Sequence, residues 1–106
     1  MRSLLLAIAA ATFLGVTPND SPVADAAMRG DTAKVRQLIK TGADVNAAQG
    51  DGMTALHWAA QRGDLDEARM LMYAGARVEA VTRNGSYTPL HLAARVGKVS
   101  LINALV

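Results

Sequence analysis

Three glycines, Gly30, Gly63 and Gly97, stand 33 and 34 residues apart, and the residues before each of them align. Ser21-Pro22-Val23-Ala24-Asp25-Ala26-Ala27-Met28-Arg29 lies over Thr54-Ala55-Leu56-His57-Trp58-Ala59-Ala60-Gln61-Arg62. Thr88-Pro89-Leu90-His91-Leu92-Ala93-Ala94-Arg95-Val96 falls beneath both, with hydroxyl, apolar and paired-alanine columns in register. A second block, Gly42-Ala43-Asp44-Val45-Asn46-Ala47, returns 33 residues later as Gly75-Ala76-Arg77-Val78-Glu79-Ala80. Two blocks repeating at one such period require stacked supersecondary units, none of which buries its apolar face alone.

One unit can be built from its residues. Ser21, Thr54 and Thr88 are of the types that cap a helix through a side-chain oxygen. Pro22 and Pro89 follow at the first helical position, where a missing N–H costs nothing. A short helix runs to Met28, Gln61 or Arg95, and Gly30, Gly63 or Gly97 closes it in a left-handed turn. A second helix opens at Asp31 or Asp64, and Asp64 with Glu67 has the spacing of a capping box. Val35, Leu38 and Ile39, then Ala68, Leu71 and Met72, give that helix one apolar stripe. Gly42 and Gly75 end it, and Asp51-Gly52 and Asn84-Gly85 reverse the chain in a projecting turn. The expected fold is all-α, a solenoid of stacked helix-turn-helix units with projecting β-turn loops. Its units divide at about 21–47, 48–80 and 81–106. The second helix of the last unit lacks the closing glycine that Gly42 supplies in the first. Leu101, Ile102, Leu105 and Val106 are therefore expected on an open apolar side, and the sequence reads as a fragment.

Residues 1–20 are of another kind. Met1-Arg2-Ser3 carries one positive charge, and Leu4 to Val16 is a run of 13 residues whose one polar side chain is Thr12. About 20 apolar residues are needed to span a bilayer. A charged start with a shorter apolar run is the form of a secretory signal peptide. A leader with a short linker is expected here, and with it an exported protein of bacterial type, periplasmic or secreted. Ala24-Asp25-Ala26 fits the small-x-small cleavage rule but lies inside the first unit, whereas a cut between Thr17 and Asp20 suits the fold better and the rule worse.

Composition removes several classes of function. The chain has no cysteine, which excludes disulfides, thiolate metal sites and cysteine nucleophiles. It has 11 basic and 9 acidic residues, mixed along its length, with no basic run to track a nucleic-acid backbone. Hydrophobic residues make up 51%, but only 4% are aromatic and 21 are alanine, so helices can approach closely around a thin core.

The pattern resembles the ankyrin repeat. The Thr-Pro-Leu-His motif of that family stands intact at Thr88-Pro89-Leu90-His91, has alanine for proline at Thr54-Ala55-Leu56-His57, and is worn to Ser21-Pro22-Val23-Ala24. The Gly-Ala-Asp-Val-Asn-Ala block is intact at Gly42 to Ala47 and drifts at Gly75 to Ala80. The resemblance implies that the motif histidines bridge backbone groups between neighbouring repeats. Loss of the histidine at Ala24 then fits a terminal unit, which has a neighbour on one side only.

The residues that would suggest chemistry have simpler explanations. His57 and His91 occupy the same place in consecutive repeats, as a structural motif does, and without cysteine they do not make a zinc ligand set. Asp64, Asp66 and Glu67 sit in a first helical turn, where the helix dipole favours solvated carboxylates. Gly50-Asp51-Gly52 is too short to cradle a phosphate. Neither an enzyme activity nor a cofactor nor a metal site is expected.

What the resemblance implies is a scaffold that binds a partner protein through turn tips and the concave face of the inner helices. Carried over residue by residue, the expected contacts are Asp51, Met53, Trp58, Gln61 and Arg62 on one repeat. On the next they are Arg83, Asn84, Tyr87, Arg95 and Val96. Trp58 stands in the column of Leu92, where packing and partner contact are both open. Arg62, Arg83 and Arg95 give the face a positive lean that would suit an acidic patch. The alternative is that these repeats form the targeting or regulatory part of a longer exported enzyme or toxin, with the catalytic region beyond Val106. No nucleic acid and, beyond the signal peptide, no membrane is expected as a partner, and further repeats are expected in the full-length chain.

Overall fold

The computed structural model describes residues 20–106. The expected leader, Leu4 to Val16 included, lies outside the described residues. Six helices follow in order: α1 Pro22–Met28, α2 Thr32–Lys40, α3 Ala55–Arg62, α4 Leu65–Tyr73, α5 Pro89–Val96 and α6 Val99–Leu105. They pair as α1–α2, α3–α4 and α5–α6. The first members stack as an inner layer, α1 on α3 and α3 on α5, while α4 packs on α6 in the outer layer. No strand occurs among the described residues. The fold is the all-α solenoid that the columns require, and no helix among these residues is long and apolar enough to cross a membrane.

Each boundary has a local cause. Pro22 and Pro89 open α1 and α5, and Thr54 and Thr88 cap α3 and α5 by accepting the backbone N–H three residues on. Asp31 and Asp64 cap α2 and α4 in the same way, through Lys34 and Glu67 N–H. Ser21 does not cap α1 (its hydroxyl turns to the Asp25 carboxylate at 3.5 Å instead). The inner helices α3 and α5 run one residue past the expected ends and stop at Gly63 and Gly97, whose φ values of 74° and 80° place them in the left-handed region. The extra residue of the last turn is absorbed by Ser86, which takes φ 52° after Gly85.

The core is thin, as methyl-sized columns dictate. Ala26, Ala27, Ala59, Ala60 and Ala93 are fully buried between inner helices, with Val23, Leu56 and Leu92 as the larger fillers. Val35, Ala68, Leu71, Leu101 and Leu105 form the buried stripe of the outer layer. Leu101 and Leu105 thus face into the stack at 0% and 7% exposure rather than onto an open side, because the i, i+4 stripe of α6 is turned toward α4. Of the four apolar residues at that end, Val106 is the one left out, at 84%.

A second correction concerns Glu67. The first-turn position suggests a solvated carboxylate, yet its side chain is fully buried. Glu67 occupies the column that holds Leu101 one repeat later, so the helix stripe carries it inward. Its Oε2 accepts a hydrogen bond from the Thr32 hydroxyl at 3.0 Å, while Oε1 has no partner.

Candidate functional site

The two motif histidines are the natural place to look for chemistry. Nδ1 of His57 accepts from the Thr54 backbone N–H at 3.1 Å, which closes a capping box at the start of α3. That leaves the proton on Nε2, which donates to the Tyr87 carbonyl at 2.9 Å in the next repeat. Both ring nitrogens are committed, the side chain is buried, and desolvation pushes its pKa below the ordinary histidine value. The carbonyls of Tyr87 and Ala80 and the charge of Asp51 oppose that shift without overcoming it. A ring so placed has no nitrogen free to serve as base or ligand. His91 repeats the inner half of this arrangement, with Nδ1 accepting from Thr88 N–H at 3.0 Å. Its ring is exposed, and among the described residues no carbonyl meets Nε2. Tyr87 lies edge-on against it, ring centroids 6.0 Å apart.

Two turn fingers, residues 48–53 and 81–87, project beside the inner layer. Gln49 N–H to the Met53 carbonyl closes the first and Thr82 N–H to the Tyr87 carbonyl the second, while Arg83 N–H donates to the Asp51 carbonyl and ties one to the other. Gly52 allows that approach: it has φ 87°, and a Cβ there would lie 3.0 Å from both the Thr82 Cα and the Arg83 nitrogen. The fingers and inner helices bring Asp51, Arg83, Asn84 and Tyr87 to the surface together with Gln61, Arg95 and Val96. Trp58 is half-buried in the same face.

Two expected contacts are placed otherwise. Met53 is 8% exposed and belongs to the core, because the finger folds its side chain inward beneath the turn. Arg62 is committed to the fold. Its Nη2 donates to the carbonyls of Ala27 at 2.6 Å and Met28 at 2.8 Å at the end of α1, where the Ala27 carbonyl also accepts from Gly30 N–H. At the next seam Lys98 does this work, with Nζ 2.7 Å from the Gly63 carbonyl. Arg62 keeps its charge, but the guanidinium groups on this face that make no such bond are those of Arg83 and Arg95.

Sequence reasoning passed over Gln49, which organises the middle of the face. Its Oε1 accepts from the Trp58 indole N–H at 2.8 Å, and its Nε2 donates to Asp25 Oδ1 at 2.8 Å, with the Met28 sulfur 3.6 Å away. Two hollows share Trp58 and Met28. One, of about 560 Å³, is bounded by Asp25, Gln49 and Asp51; the other, of about 250 Å³, by Gln61 and Arg62. The signal available in sequence was the column itself: Asp25, Trp58 and Leu92 share it, and such residues become neighbours along the stack. Among the described residues no group of three or more His, Asp or Glu side chains is placed to hold a metal ion.

The family model described as ankyrin repeats (3 copies) matches residues 15–106. No curated protein matches the chain.

Proposed function

The chain belongs to the ankyrin repeat family, whose members generally act in protein–protein interaction, and from that premise we propose a non-catalytic scaffold that binds a partner protein through its fingers and inner helices. One observation carries this reading. The side chains that would perform chemistry, His57 above all, are consumed in holding repeats together, while those gathered on the finger side are aromatic, amide and charged groups suited to an interface. The protein is further proposed to be exported, with residues 1–20 as leader and linker; the support is the charged start and the apolar run from Leu4 to Val16. Additional repeats beyond α6 are also proposed. They would give His91 Nε2 the carbonyl that His57 has in Tyr87, and would cover Ala94, which is exposed where Ala27 and Ala60 are buried.

Site-specific photo-crosslinking tests the binding face. A photoreactive residue at Tyr87, on a finger, is expected to capture a partner protein from the exported fraction, and the same group at Tyr73, on the outer layer and 91% exposed, is expected to capture none. Crosslinks from Tyr73 with none from Tyr87 would place the interface on the outer layer and overturn the proposal. Export is tested by the mature N-terminus. An intact Met1 on the mature protein would remove it.

A further inference from the structure

Building on that reading, we propose that the hollow between Asp25, Trp58 and Asp51 takes a lysine or arginine side chain from the partner. The hollow is lined by two large side chains with apolar surface, the exposed Met28 and the half-buried Trp58, and by two carboxylates from different elements. Asp25 lies on α1 and Asp51 on the first finger. The hydrogen bonds they accept come from uncharged donors: Gln49 Nε2 and the Ser21 hydroxyl on Asp25, and the Met53 backbone N–H on Asp51. Each of those bonds falls on Oδ1, which leaves Oδ2 of both residues without a donor among the described residues. Among the described residues the side chains of Arg29, which follows Met28, and Arg83, on the second finger, donate to neither carboxylate, and Arg62 borders the neighbouring hollow and donates to the Ala27 and Met28 carbonyls.

The indole is held for this role. Gln49 fixes its N–H and, through the other end of the same amide, fixes Asp25. Aromatic face and carboxylate are thus set relative to each other before any ligand arrives, which lowers the ordering cost of binding. A long side chain with an apolar stem and a cationic head matches such a site: the stem covers Met28 and Trp58, and the head meets the carboxylates and the electron-rich ring. An acidic side chain would meet two like charges, and a purely apolar one would bury both carboxylates without compensation. The partner surface that suits the face is therefore bipolar, with a basic residue at Trp58 and an acidic one nearer Arg83 and Arg95.

Trp58 is the only tryptophan in the chain, so its fluorescence reports on the hollow directly. The full chain would be titrated with a tetralysine peptide and, separately, a tetraglutamate peptide. Tetralysine is expected to shift the emission along a saturating curve that weakens with added salt, and tetraglutamate to leave it unchanged. Asp25→Asn with Asp51→Asn keeps an acceptor for Gln49 and for Met53 N–H and removes both charges; it should weaken tetralysine at least about fivefold with an unaltered circular dichroism spectrum. Asp66→Asn, on the exposed side of α4, should bind as the unaltered chain does. Equal binding by the double variant, an equal loss in Asp66→Asn, or an equal response to tetraglutamate overturns the assignment, as does a Trp58 signal indifferent to tetralysine. Crosslinking from Tyr87 is independent of these titrations, so this assignment can fail while the interaction face stands, or the reverse.

Discussion

His57 is the residue on which two levels of structure depend at once. Nδ1 completes the cap of α3 and Nε2 ties that repeat to the next, so His57→Ala leaves the buried Thr54 N–H without its acceptor and the Tyr87 carbonyl with Thr82 N–H as its remaining donor. The expected loss is about 1–3 kcal/mol in urea unfolding, the cost of stranding a buried polar group. Its protonation has a definite sign. Desolvation holds the folded pKa below the ordinary value, so the ring's contribution is complete above about pH 6.5, the unfolded value, and is lost as pH falls from there toward the folded pKa. A proton on Nδ1 would also confront the Thr54 N–H. Stability measured between pH 7 and 5 should decline in the unaltered chain by an increment that His57→Ala lacks; identical profiles would show that the ring does not titrate with unfolding. Arg62 makes a second residue-scale case. Since its guanidinium serves the end of α1, Arg62→Ala should cost about 1 kcal/mol, whereas Arg95→Ala, with no such bond, should leave the urea midpoint where it was. Equal midpoints for the two variants would return Arg62 to the free surface.

Between elements, the two outer-layer seams differ because their columns differ. Where α4 meets α6, Leu65 and Leu101 stand in the columns that hold Thr32 and Glu67 at the seam of α2 with α4. The first seam thus holds a buried carboxylate with one oxygen unpartnered, and α2 leans mainly on α1. Burial raises the Glu67 pKa; the Thr32 hydrogen bond lowers it in part, the Asp64 charge adds to the rise, and Arg62 opposes it. A group whose folded pKa is raised contributes stability below its unfolded value of about 4.3 and loses it as pH rises through the folded value. Glu67 therefore works against the fold at neutral pH. Glu67→Leu, which copies the neighbouring repeat, should raise the melting temperature at pH 7 by several degrees, about 4–8 °C for each kcal/mol gained. No change, or a fall, would mean that the Thr32 bond outweighs the buried charge. The helices, caps and turns were legible in the sequence because they depend on residues within one turn of each other and recur at one period. What was not legible joins residues about 24–35 apart: Gln49 with Asp25, Thr32 with Glu67, Arg62 with Ala27, Lys98 with Gly63. Their trace lay in the exceptions to the columns, a carboxylate in a leucine column at Glu67 and a lysine in an aspartate column at Lys98. An exception becomes informative only when the columns are laid side by side as neighbours in space.

At the scale of the whole molecule, stability in a stack is the sum of weak units and favourable interfaces between them. Both interfaces here are directional. The earlier repeat presents helix-end carbonyls to which the later one brings a cation, and at the second interface His57 Nε2–H also meets a backbone oxygen of the later repeat. The α5–α6 unit presents the same set, with His91 exposed and no carbonyl at its Nε2 among the described residues, Gly97 at the end of α5, and Val99 at 67% exposure. A unit appended after Val106, carrying an Arg or Lys in the Arg62 or Lys98 column and closed by a polar outer helix, should raise the melting temperature by many degrees. Added length alone could do something similar, so His91→Ala provides the discriminating variant. In the 106-residue chain this substitution removes a cap acceptor and nothing across a seam, and should cost less than His57→Ala. In the extended chain it should cost as much as His57→Ala, about 1–3 kcal/mol, because the ring would then bridge two repeats. Thermal unfolding of the four chains, with and without the added unit and the substitution, forms one cycle whose coupling energy isolates the new bridge. A coupling near zero would show that the added unit docks without engaging His91, and that the stack does not propagate by the contacts that join its first three members.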